Sequence, residues 1–251
     1  MTNTAFIGLE TATSLLVSYE SLALAHRKAM QFEEISEKLG NRDTNHNVNY
    51  QNTFALLIIN AAIIEGTLRS ILSGKILSEL NAIVNERKSQ GATGPSKAES
   101  LLSKYLVVIE AQGGWEKIKE QYMFYFDLSL DSFMGEQLKE SIDVLFILRN
   151  VLAHGTAIIA PKTKMDDSEK DLYPYSWQRK LQRVSVYLEK EFKSGDIFKN
   201  LATHEVPEHF MEKTKELFSK LEQELAPIPS NSQITINMLK KYSFGFVCFT
   251  R

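Results

Sequence analysis

Along most of the chain, apolar side chains recur three and four positions apart, the spacing of one helix face. Residues 5–39 carry this pattern up to Gly40 and predict a first helix. The polar stretch NRDTNHNVN, 41–49, predicts a loop. A second, longer helical pattern covers about 50–86, with Gly74 as its candidate break. GATGPSKAES, 91–100, is a loop leading into a helix over 96–110, with Ser96 and Glu99 at the spacing of a capping box. The pair Gly113-Gly114 ends that helix, another short helix begins near Trp115, and DLSLDSFMGEQ, 127–137, is a connection. A helix over 136–154 stops at Gly155, and 160–174 is a polar loop. Helical patterns at 175–193 and 207–224 follow, then the linker PIPSNS, 227–232. The end, KYSFGFVCFTR, is readable as a strand or as a docked tail. No internal repeat or low-complexity tract interrupts these patterns, which together predict an all-α bundle.

Two helices place a charge inside their own apolar stripe. On a wheel of about 100° per residue, Leu138, Ile142, Leu145, Leu148 and Leu152 align, and Arg149 falls among them. Phe54, Leu57, Ala61, Leu68 and Leu72 align likewise, with Glu65 in their middle. A buried charge requires a partner. Glu65 and Arg149 are therefore expected to face each other across neighbouring helices. Asn150 and His154, four apart, share a different face, and Asp143 lies on that face seven residues before Asn150. A histidine at a helix C-terminus suits proton transfer near neutral pH. The arginine fork matches phosphate, and Asn150 is placed to hold the ring or touch a ribose.

Composition narrows the classes of function. The net charge of −2 excludes a generally basic surface, so any nucleic-acid contact is local. The patch Arg179, Lys180 and Arg183 is the candidate for such a contact, beside its plainer reading as a solvated helix face. The single cysteine, Cys248, allows no intrachain disulfide and no cysteine metal cluster, which fits a reducing cytoplasm. The start MTNTAFIGLETATSLL has no basic leader and carries Glu10, so a signal peptide is not expected. The run FALLIINAAII, 54–64, is too short to span a bilayer and leads into Glu65; no membrane association is expected.

Four other motifs favour plain readings. GATGPSK lacks the spacing and preceding strand of a phosphate loop. His204 and His209 are five apart with Pro207 between them, which defeats the zinc geometry of a helical pair. Arg42 to His46 is one residue short of the Arg149 to His154 spacing and sits in an Asn-rich loop. The aromatic run QYMFYF, 121–126, reads as core or interface rather than as a platform for bases.

At Arg149-Asn150-Val151-Leu152-Ala153-His154 the sequence resembles the HEPN family, whose ribonuclease motif is an arginine, a polar residue directly after it, and a histidine after four to six intervening residues counted from the arginine; here four intervene. The apolar approach VLFIL, the following Gly155 and the helix ALLIINAAIIEGTLRSIL, 55–72, with its central acid, are similar too. The resemblance covers roughly 46–225 and implies a HEPN-like bundle with an N-terminal helical extension, 1–45, and a C-terminal tail, 226–251. It further implies a homodimer whose two motifs meet in an interface cleft, and cofactor- and metal-independent cleavage of RNA by attack of the ribose 2′-OH. Arg149, Asn150 and His154 would be catalytic, with Glu65 and Asp143 supporting them. Toxin, abortive-infection or anti-phage settings are implied by association, with an antitoxin or defence protein as a possible partner. One subgroup carries a tyrosine two residues after the histidine; Thr156 stands there instead, which argues against tyrosine-directed AMPylation. The competing expectation is a non-catalytic helical dimer that binds protein or RNA, with Arg149 as a core pair and His154 as a cap. The two flanks carry apolar surface, SLLVSY and FGFVCF, that must be covered somewhere.

Overall fold

The chain is all-α, as its periodicity predicts. The computed structural model describes residues 11–39, 50, 52–160, 162–166 and 168–243, with ten helices and no strand among them. Gly40, Arg42 to His46 and Cys248 lie outside the described residues, as do 244–251 of the expected strand or tail.

The axis of the bundle is α2 (Thr53–Ser89), 37 residues long. Leu56, Leu57, Ile63, Ile64, Leu68 and Ile71 are buried on several of its faces, so it is a core helix rather than a one-sided amphipathic one. By length and composition alone α2 is long and apolar enough to cross a membrane, and most of its apolar stretch is enclosed by the bundle. The helix passes unbroken through Gly74. A Cβ there would lie 2.9 Å from the Pro229 Cβ, so this glycine serves close packing, not a break.

Around this axis pack α1 (Thr11–Lys38), α3 (Lys97–Ala111), α4 (Trp115–Phe126), α6 (Glu136–Ala153), α9 (Glu205–Leu225) and α10 (Ser230–Lys241), while α7 (Gln178–Phe192) covers α6. One face of the apolar segment of α1 is covered within the chain, while Val17 stays half exposed. Leu16 and Tyr19 are buried, and the Tyr19 hydroxyl donates to the Pro207 carbonyl at 3.0 Å. The capping box of α3 forms: Ser96 Oγ accepts from the Glu99 N–H at 3.1 Å, and the Glu99 carboxylate accepts from the Ser96 N–H.

Three helices depart from the sequence expectation. The connection 127–137 contains α5 (Leu130–Met134), whose ends Leu130 and Met134 are both buried. A second short helix, α8 (Ile197–Leu201), is capped by Asp196, which accepts from the Phe198 and Lys199 N–H groups. Five residues are too few to display a period. The expected linker and tail hold α10, which starts at Ser230 and buries Ser232, Thr235, Ile236 and Leu239 against α1, α2 and α9.

Candidate active site at the C-terminal turn of α6

Helix α6 reaches the centre of the molecule through Leu138, Ile142, Leu145 and Leu148, all buried. Arg149 follows on the same stripe and meets Glu65 of α2. Its Nη2 donates to Glu65 Oε2 at 3.0 Å, with the arginine side chain 27% exposed and the glutamate 11%. The expected pairing of these two charges is thus present, and it joins α6 to α2. The other terminal nitrogen, Nη1, donates to the Asn150 side-chain carbonyl at 2.9 Å, which fixes the orientation of that amide.

The end of α6 is closed by backbone geometry. His154 is the C-cap residue and Gly155 takes φ +63°, a conformation that favours glycine. The Gly155 N–H donates to the Leu152 carbonyl at 3.2 Å and the Thr156 N–H to the Val151 carbonyl at 3.1 Å. This is the paired closure of a Schellman motif. The Thr156 hydroxyl adds a bond to the same Val151 carbonyl at 3.0 Å. His154 and Asn150 are exposed side by side on this rigid turn. Beyond them, Trp177 pins the outgoing chain through its indole N–H to the Ala157 carbonyl at 3.1 Å.

Asp143 is not part of the Arg149 cluster, and it is not freely solvated. It accepts the Trp115 indole N–H at 2.9 Å and Arg183 Nη2 at 3.0 Å, and its side chain is 14% exposed. Trp115 in turn lies flat on Phe146, with ring centroids 4.8 Å apart and planes 7° apart. Asp143, Phe146, Ile147 and Asn150 share one face of α6. With Trp115 and the basic residues of α7 they line an open groove of about 700 Å³. His154 is the next position along that face, four residues after Asn150.

Arg179, Lys180 and Arg183 all border this groove, so the patch and Asn150 do come together. Their states differ. Arg183 is committed to Asp143. Arg179 holds the preceding loop, its backbone N–H on Asp171 Oδ1 at 2.9 Å and its Nη2 on the Asp166 carbonyl at 3.1 Å. Lys180 is exposed on the rim. Trp115 and Phe146 form the floor of the groove, and the periodicity of the chain marks neither as functional. The available signal was a tryptophan directly after a glycine pair, at the start of a helix.

The remaining motifs have structural roles. His209 Nε2 and the Tyr187 hydroxyl are 2.6 Å apart, and that hydroxyl also donates to Ser141 Oγ at 2.6 Å. Burial lowers the pKa of His209 and raises that of Tyr187. His204 is the N-cap residue of α9, and no group of three potential metal ligands assembles among the described residues. The aromatic run divides: Tyr122 points inward and donates to the Leu68 carbonyl at 2.8 Å, whereas Phe124 is 76% exposed. Compared with protein-family models, curated proteins and solved structures, the chain matches none.

Proposed function

We propose that this protein is a metal-independent endoribonuclease of the HEPN type, acting as a homodimer. The observation that carries this reading is the α6 turn itself. Arg149 is held by Glu65, it orients Asn150, and His154 stands exposed one turn on. In the proposed reaction the ribose 2′-OH attacks the adjacent phosphorus and the bond to the 5′ oxygen breaks. The products are a 2′,3′-cyclic phosphate and a 5′-OH. His154 moves the protons, and Arg149 stabilises charge on the phosphorane through its oriented donors. Asn150 positions the backbone, and the groove toward Lys180 and Arg183 receives the flanking strand. Exposed Leu101, Val107 and Phe124 on α3 and α4 offer apolar surface for a second copy. A toxin or anti-phage role, with a restraining partner protein, belongs to the same proposal.

The Glu65–Arg149 pair favours one competing reading, a non-catalytic helical dimer that binds protein or RNA, with Arg149 serving only to join two helices. Cleavage of total cellular RNA in EDTA, with product ends mapped, separates the two. The ribonuclease reading expects cyclic phosphate ends from the wild type and at least ~10²-fold less cleavage by His154→Ala. A folded, dimeric wild type that leaves RNA intact would overturn it.

A further inference from the structure

The chain between the α6 turn and α7 holds large side chains out in water. Tyr173 is 99% exposed, and Leu172 and Tyr175 beside it are exposed too. Apolar groups gathered on a surface mark a place of contact. A loose loop would be free to fold such rings onto the bundle, but this one is braced. The Tyr175 N–H donates to the Leu172 carbonyl at 2.6 Å, closing a turn with Tyr173 and Pro174 at its tip. Behind the turn, the first side chains of α7 grip the loop. Gln178 Oε1 accepts from the Leu172 N–H at 3.1 Å. Gln182 holds both the N–H and the carbonyl of Met165, at 2.6 Å and 3.1 Å. Arg179 Nη2 donates to the Asp166 carbonyl at 3.1 Å. The aromatic tip is a fixed projection.

The surrounding contacts put this tip beside the candidate site. Trp177 stands edge-on to Tyr175, with ring centroids 5.8 Å apart and planes at 90°. Its indole N–H holds the Ala157 carbonyl, three residues past His154. Two and three residues after Trp177, Arg179 and Lys180 border the groove that Asn150 also lines. Exposed rings, basic side chains and the α6 turn thus follow one another along one rim.

The occupant must suit both the projecting rings and the basic groove. A second copy of this chain, meeting the rim across a two-fold axis, would set Lys180 against its own twin. A flat bilayer would touch the tip but not the concavity beside it. A single strand of RNA reaches both. Its bases stack on tyrosine whatever their sequence, and its phosphates meet basic side chains. In a duplex the bases already cover one another, so the rings find no free face. The net charge of −2 gives RNA no general attraction, which leaves local contacts of this kind to hold it.

We propose that Tyr173 and Tyr175 are a stacking platform for the bases of single-stranded RNA, whose backbone then runs past Lys180 into the groove toward Asn150. The inference rests on the reading of the α6 turn as an RNA-cleaving site and names the form of RNA it takes.

The test is fluorescence anisotropy of the full chain with a short labelled oligoribonucleotide of mixed sequence, 2′-O-methylated throughout so that it has no attacking hydroxyl. The same strand annealed to its complement is titrated at the same salt concentration. Saturable binding of the single strand is expected, with the duplex at least ~10-fold weaker. Tyr173→Ala and Tyr175→Ala should each weaken the single strand at least ~5-fold, the loss of one stacked base. Tyr173→Phe keeps the ring and should bind like the wild type, whereas Tyr173→Leu, apolar but without a π-face, should bind like the alanine variant. Tyr173 is almost wholly exposed, so its variants should melt with the wild type. Unmodified RNA, assayed in parallel, keeps the two readings apart. Tyrosine-dependent binding without cleavage would sink the ribonuclease reading and support this one; cleavage with no tyrosine-dependent binding would do the reverse. Wild-type affinity in the folded Tyr173→Ala variant, equal affinity for the duplex, or a tyrosine-dependent dimer in place of oligonucleotide binding would overturn the platform.

Discussion

Arg149 has two jobs, and the physics of burial says how they separate. Its Nη2 neutralises a glutamate that is more enclosed than the arginine itself, 11% against 27% exposed. Removing the arginine strands the more buried charge, whereas removing the glutamate leaves an arginine that still reaches water. Arg149→Ala is therefore expected to destabilise the fold by about 2–4 kcal/mol and Glu65→Gln by less, below the full cost of opening a wholly buried pair. Urea denaturation of both single variants and the double variant checks this, and the cycle should return a coupling of about 1–2 kcal/mol. Equal losses with no coupling would mean that the pair contributes little. This pairing was legible in the sequence, because each charge interrupts an apolar stripe. The role of Asp143 was not. Its spacing to Asn150 shows a shared face, but its partners Trp115 and Arg183 come from α4 and α7, which no periodicity connects.

At the scale of the element, the end of α6 is decided by Gly155. Its φ of +63° allows the two closing bonds from Gly155 and Thr156 that hold His154 at a fixed cap. Gly155→Ala places a Cβ in the left-handed region and should lower stability by about 1 kcal/mol. A shift of the urea midpoint measures that loss. Under the ribonuclease proposal, cleavage should fall with it, because His154 no longer holds its position. A variant as stable as the wild type would show that the turn does not need glycine. The glycine and the stop it imposes were readable from the chain. Gly74 shows the opposite case. In a sequence an interior glycine suggests a break, yet α2 continues, because the residue is needed for the approach of Pro229. Only the partner element reveals which of these reasons applies.

The whole molecule carries a pH dependence that no single helix predicts. His26 is buried beside α2, with Thr53 Oγ1 3.5 Å from its Nε2. His209 is wedged among Tyr187, Phe192 and Phe210. Burial lowers both pKa values below the ordinary 6.5, with His204 opposing the charge on His26 as well. The unfolded chain therefore binds more protons than the folded one as the pH falls past 6.5. Stability is fully present above that pH and is lost as pH drops through the folded-state values. Urea midpoints at pH 7.5 and pH 5 should fall in that order, and His209→Gln should flatten the difference. A midpoint that holds or rises toward pH 5 would contradict this.

Helical periodicity, the capping box at Ser96, the stop at Gly155 and the opposed charges of Glu65 and Arg149 are local or pairwise signals. The sequence by itself therefore determined an all-α chain, the limits of α6 and the contact between α6 and α2. Packing from elements distant in the chain decided the rest. It brought Trp115 and Phe146 under Asn150 as the floor of a groove, tied Arg179 and Arg183 to acidic and carbonyl partners, and made a core helix of the expected linker at Ser230. It also buried Glu65 Oε1 and Arg69 Nε without hydrogen-bond partners. These arrangements depend on which surfaces remain once every helix has buried its own stripe, and that is a property of the assembled bundle.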